Sequence, residues 1–126
     1  MTKPVLIEML DRIAEARDEV KRKLEELRKA PLDVKILSEF EVLDAERFDE
    51  HYDVDLFRDH ITSYKEVVGE YNRLRRRKLR RARKIAIETE RKAQKELIRM
   101  REALRSKERE LEDALNRVRE AEERNR

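Results

Sequence analysis

The sequence of 126 residues has no cysteine, no tryptophan, one glycine (Gly69) and two prolines (Pro4 and Pro31). Without cysteine there is no disulfide framework, no thiolate nucleophile and no zinc–thiolate site. A single glycine rules out a glycine-rich loop that cradles phosphate, and no nucleophile elbow is present. So few helix breakers also leave little room for turns. Aromatic residues are only Phe40, Phe48, Phe57, Tyr52, Tyr64 and Tyr71, so a compact core has to be small. No stretch approaches the ~20 apolar residues of a membrane-spanning helix. The opening Met-Thr-Lys-Pro-Val-Leu-Ile lacks the apolar run of a signal peptide. These absences lead us to expect a soluble intracellular chain, free or part of a larger assembly.

What is present is charge. Half the residues are charged and 38% are apolar. A disordered chain has such a composition, but here the apolar residues are periodic, and Ala, Leu, Glu, Lys and Arg dominate as they do in long helices and coiled coils. The expected fold class is therefore all-α: an elongated helical hairpin or coiled coil with one very long C-terminal helix. The division expected is 1–52, an N-terminal helix plus a short acidic helical insert, and 53–126, a long coiled-coil helix carrying a basic segment at 73–84.

The first helix is read over 4–30. Leu6, Leu10, Ile13, Arg17, Val20, Leu24 and Leu27 step alternately by four and three, a heptad seam interrupted once by Arg17. Pro4 sits in the first turn, where its missing N–H is harmless, and Pro31 stops the helix near Lys29. Residues 32–52 are ambiguous. Val34, Ile36, Phe40 and Val42 alternate as in a strand, whereas Ser38 to Glu41 has the form of a capping box. A short helix over about 38–49 is the favoured reading, with a small β-hairpin as the alternative.

From about Asp53 one helix is expected to run on, capped by Asp53 or Asp55. Phe57, His60, Ile61, Tyr64, Val67 or Val68, Tyr71 and Leu74 form its first apolar face. Gly69 weakens it by ~1 kcal/mol relative to Ala and marks a kink or a close helix contact. Further on, Val67, Tyr71, Leu74, Lys78, Ala82, Ile85, Thr89, Ala93, Glu96, Met100, Leu104, Lys107, Leu111, Leu115 and Val118 step mostly by 4, 4 and 3, an eleven-residue period. From Leu97 a plain heptad fits equally well. The polar members Arg17, Lys78, Thr89, Glu96 and Lys107 either set register or reach to the seam edge. The eleven-residue period is similar to that of the stalk helices of rotary ATPases. The order helix, short insert, helix is similar to prefoldin subunits and flagellar export chaperones, a likeness of layout that implies no function.

Charge is distributed unevenly. Residues 1–72 carry 12 basic and 19 acidic side chains (net −7), 73–84 carry nine basic and none acidic (net +9), and 85–126 carry 12 and 11 (net +1). The basic run comprises Arg73, Arg75, Arg76, Arg77, Lys78, Arg80, Arg81, Arg83 and Lys84. It suits a polyanion such as nucleic acid, an anionic membrane surface, or the acidic segment that precedes it, from Glu39 to Asp59. Asp49, Glu50, His51, Asp53, Asp55, Asp59 and His60 are of the types that hold a divalent metal. Val54 stands where a calcium loop needs glycine, and an acidic helix start with surface histidines is the plainer account.

No catalytic residue, cofactor or metal is expected. The expected function is a non-enzymatic structural, scaffold or assembly subunit that binds a protein partner, itself or another subunit, through its long helix. The partner-helix seam would be Leu97, Met100, Leu104, Leu111, Leu115 and Val118. The alternative is a nucleic-acid-associated helical protein binding through Arg73 to Lys84. Geometry favours the first. At ~1.5 Å per residue the first helix reaches ~40 Å and the last ~100 Å, so the later seam lies beyond cover.

Overall fold

The computed structural model describes residues 2–126 and divides the chain into two units, Met1–Ile85 and Ala86–Arg126. The fold is all-α, with no strand among the described residues. Its helices are α1 (Lys3–Lys29), α2 (Val34–Ser38) and α3 (Arg58–Arg124).

In the first unit α1 packs on the early turns of α3. Ile13, Ala16, Val20, Leu24 and Leu27 are its buried residues, and Ile61, Tyr64, Val68, Tyr71, Leu79 and Ala82 are those of α3. Ala16, not Arg17, faces the core, so the seam skips its one charged member and half-buries it. The two helices run in the same direction. Arg28 pairs with Glu70 at 2.8 Å, and Lys78 meets the end of α1, whereas Arg47, Phe48 and Tyr52 line a groove with Arg12 to Arg22 at the other end. The reversals of chain direction expected of a hairpin therefore fall at the two ends of the connection, which runs back alongside both helices.

That connection, residues 39–57, is a strap of turns and extended chain, not the short helix expected over 38–49 and not a hairpin of strands. Asp33, not Ser38, supplies the cap: its side chain accepts the Ile36 N–H at 3.0 Å and starts α2, of which Ser38 is the last residue. The helix stops there because side chains of α3 take the strap's backbone groups. Arg75 Nε donates to Phe40 O at 2.6 Å and Tyr71 Oη to Glu41 O at 2.9 Å. Asn72 both accepts from Leu43 N (3.1 Å) and donates to Leu43 O (2.9 Å), and Tyr64 Oη donates to Asp44 O at 3.2 Å. Extended chain with no neighbouring strand needs such partners, since a buried backbone polar group left unpaired is costly. Phe48 then anchors the strap, edge-on to Tyr52 and Tyr64 with ring centroids 5.0 Å from each.

α3 begins at Arg58, five residues after the expected Asp53. Asp53 instead organises the turn before it, its Oδ1 accepting from Asp55 N at 3.1 Å and Leu56 N at 3.2 Å. Gly69 marks no close helix contact. A Cβ placed there meets only the Arg73 guanidinium, at 3.2 Å.

In the second unit α3 is the sole element, and every residue from Ala86 to Arg126 is exposed.

Candidate functional site

Two features of α3 remain after the core is accounted for. The first is the basic run. Leu79 and Ala82 are buried and Leu74 is half-buried, which fixes the rotation of the helix and sorts the nine cations. Arg75 and Lys78 turn inward to serve the fold. Lys78 Nζ donates to Leu27 O (2.6 Å), Arg28 O (3.1 Å) and Ala30 O (2.6 Å). These carbonyls end α1, where the backbone lacks its own donors and the helix dipole is negative. Lys78 is thus a C-terminal cap supplied by another helix, not the seam residue expected.

Arg73, Arg76, Arg77, Arg80, Arg81, Arg83 and Lys84 stay exposed. Arg73, Arg76, Arg77 and Arg80 are spaced i, i+3, i+4, i+7, so they share one face. They alone line a shallow groove of about 360 Å³. Among the described residues none of the seven is in an ion pair with a carboxylate.

The acidic strap is occupied elsewhere. Asp49 Oδ2 holds Lys65 Nζ at 2.7 Å, Asp55 holds Arg58 at 2.7 Å, and Asp44 Oδ1 accepts Glu46 N at 2.8 Å. Neutralisation of the basic run by direct pairing with this segment of the same chain is not what the structure shows. Asp49 and Asp55 pair with cations in the first turns of α3, and Asp44 and Asp53 accept backbone N–H groups in the strap's own turns. The same assignments disperse the residues weighed as metal ligands: His51 and His60 are exposed, and among the described residues no three His, Asp or Glu side chains come together to hold a cation.

Two phenols sit under the strap. Burial pushes the pKa of Tyr64 and Tyr71 above the usual tyrosine value, opposed by the nearby cations Arg47 at Tyr64 and Arg75 at Tyr71. Both therefore stay protonated and act as hydrogen-bond donors to the strap. Sequence reasoning missed this clamp of Tyr64, Tyr71, Asn72 and Arg75. No pattern within 39–57 marks it, because its partners lie 20 to 35 residues away on α3.

The second feature is the later seam. Leu97, Met100, Leu104, Leu111, Leu115 and Val118 are between 47% and 62% exposed, and none of the described residues covers them. Their neighbours form local ion pairs, Glu96 with Arg99 at 3.9 Å and Lys107 with Glu110 at 3.5 Å. Among the described residues no helix is long and apolar enough to cross a membrane. No protein-family model, curated protein or solved structure matches the chain.

Proposed function

We propose that this chain is a non-enzymatic assembly subunit that binds a protein partner through the Ala86–Arg126 part of α3. One observation carries the reading: a helix in which Leu97, Leu104 and Leu111 recur at intervals of seven, all exposed. An isolated helix gains little from propensity, and most helical stability comes from packing an apolar face. Leaving each large apolar side chain in water forgoes ~1.5–3 kcal/mol of burial. The first unit, by contrast, has its own core and serves as a folded base. The experiment changes Leu104, Leu111 and Leu115 to Ser. Association with the partner is then lost, and circular dichroism shows the helix fraying beyond about Ala93. A monomer whose Ala86–Arg126 segment is fully helical at micromolar concentration refutes the reading, since such a helix needs no partner.

A second reading rests on the unpaired arginines. Binding of a nucleic-acid backbone to Arg73, Arg76, Arg77 and Arg80 would weaken steeply with salt, log affinity falling with log salt by ~0.9 per phosphate neutralised on duplex DNA. Changing Arg76, Arg77 and Arg80 to Gln abolishes retention on DNA or RNA if this is right. Absence of binding by the parent chain at low salt rules it out.

A further inference from the structure

We propose that the occupant of the uncovered seam is a second copy of this chain, paired in parallel and in register as a two-stranded coiled coil. The inference rests on the partner-binding reading above and adds the partner's identity and orientation. Leu97, Leu104, Leu111 and Val118 recur every seven residues. Taken as the a positions of a heptad, they place Met100, Lys107, Ala114 and Ala121 at d. Taken as d, they would place Gln94, Arg101, Glu108 and Leu115 at a, which buries two charges, so the first assignment holds.

Charge decides the orientation. In a parallel pair each g residue faces the e residue five positions on in the other copy. With Leu97 at a, those facing pairs are Glu96 with Arg101, Ala103 with Glu108, Glu110 with Leu115, and Arg117 with Glu122. Two are opposite charges, none are like charges, and symmetry doubles each. An antiparallel pair overlapping the whole seam sets Leu97 against Ala121 and Leu111 against Lys107. It also brings Glu108 and Glu110 each opposite its own copy across the two-fold axis. Parallel pairing stacks leucine on leucine and avoids both glutamate repulsions, leaving Lys107 opposite its own copy as the one like-charge layer of the stripe.

Lys107, the charged residue on the stripe, already directs its Nζ toward Glu110 at the g position, 3.5 Å away. In two strands its stem lies along the seam edge with the ammonium in water. A third strand would enclose it, which is why the proposal stops at two.

The absence of native cysteine makes the test clean. In the full chain, Ala121→Cys places one thiol per copy at a d position. Parallel register brings the two thiols together. The antiparallel alternative separates them by 24 residues of helix, ~36 Å. Sedimentation equilibrium of the parent at micromolar concentration gives a dimer, and air oxidation of Ala121→Cys links it covalently. A second arm uses Glu96→Arg with Arg117→Glu, which turns every attractive e–g contact into a like-charge contact and weakens the dimer by about tenfold or more. Mixing that chain with one carrying Arg101→Glu and Glu122→Arg restores pairing, now as a heterodimer.

A dimer that does not cross-link, or an oligomer other than a dimer, overturns the proposal. A monomer frayed beyond Ala93 overturns it too, while sparing the partner-binding reading, which would then require a helix from another protein. A monomer helical throughout 86–126 overturns both.

Discussion

Lys78 offers the sharpest test of how the first unit is held together. Leu27 would ordinarily pass its carbonyl to the N–H four residues later, but that residue is Pro31, which has none. Ala30 N offers Leu27 O a contact at only 3.3 Å. The ammonium of Lys78 fills the gap with three donors for three carbonyls, at 2.6, 3.1 and 2.6 Å. Lys78→Met keeps the apolar stem and removes only the head. A hydrogen bond to a charged group contributes ~1.5–3 kcal/mol net. Lys78 is half-exposed, however, and water replaces part of what is lost, so ~2 kcal/mol for the three together is the appropriate scale. On a unit of this size that lowers the unfolding midpoint by about 10 °C. Lys78→Arg should recover only part of it, because a planar guanidinium cannot direct donors at three convergent carbonyls as an ammonium does. Tyrosine fluorescence is the right probe, since Tyr52, Tyr64 and Tyr71 all lie in the first unit and there is no tryptophan. A Lys78→Met chain that melts with the parent, or a Lys78→Arg chain indistinguishable from it, would show that water caps α1 as well as the ammonium does.

Gly69→Ala should stabilise the first unit by ~1 kcal/mol in urea titrations, because the new methyl meets only the mobile end of Arg73; a destabilised variant would mean that Arg73 cannot move aside. Phe48→Ala should cost ~3–5 kcal/mol and expose the strap to limited proteolysis between Phe40 and Phe57, since the Phe48 ring is its anchor against Tyr64; unchanged resistance to cleavage would move the anchor elsewhere. Tyr71→Phe should cost ~1 kcal/mol at neutral pH through the lost hydrogen bond to Glu41 O. It should also flatten the alkaline limb of stability. Burial holds the Tyr71 phenol above its usual pKa in the folded state, so above pH ~10 the unfolded chain has released a proton that the folded chain retains, and stability falls as pH rises. An alkaline slope identical in parent and variant would remove Tyr71 from that account.

The helices were legible because their information is local. The stepping from Ile13 to Leu27 and the apolar face from Ile61 to Tyr71 each depend on residues within a few turns, and both are buried as the spacing implies, except that Ala16 takes the core position expected of Arg17. The strap was illegible for the converse reason. Val34, Ile36, Phe40 and Val42 alternate like a strand, and Ser38 to Glu41 looks like a cap. What decides the conformation of 39–57 is a set of side chains more than 15 residues away in sequence, among them Lys65 on Asp49 and Arg75 on Phe40. A pattern read along one segment carries no trace of donors placed by another.

The basic run shows the same limit from the other side. In sequence its nine cations are equivalent, and all nine were natural candidates for one patch. Once Leu79 and Ala82 are buried, rotation at 100° per residue sends Arg75 and Lys78 toward the strap and α1 and leaves Arg73, Arg76, Arg77 and Arg80 on the opposite face. The fold itself thereby consumes two charges and presents a row. A variant set built on composition alone, such as Arg75, Arg76, Arg80 and Arg81 to Gln, would confound loss of a binding face with loss of the Arg75 bond to Phe40 O. The set Arg76, Arg77 and Arg80 touches only exposed side chains. A chain carrying it should melt with the parent in tyrosine fluorescence, whatever it does to a polyanion, and a lowered melting point would mean that these arginines also belong to the fold.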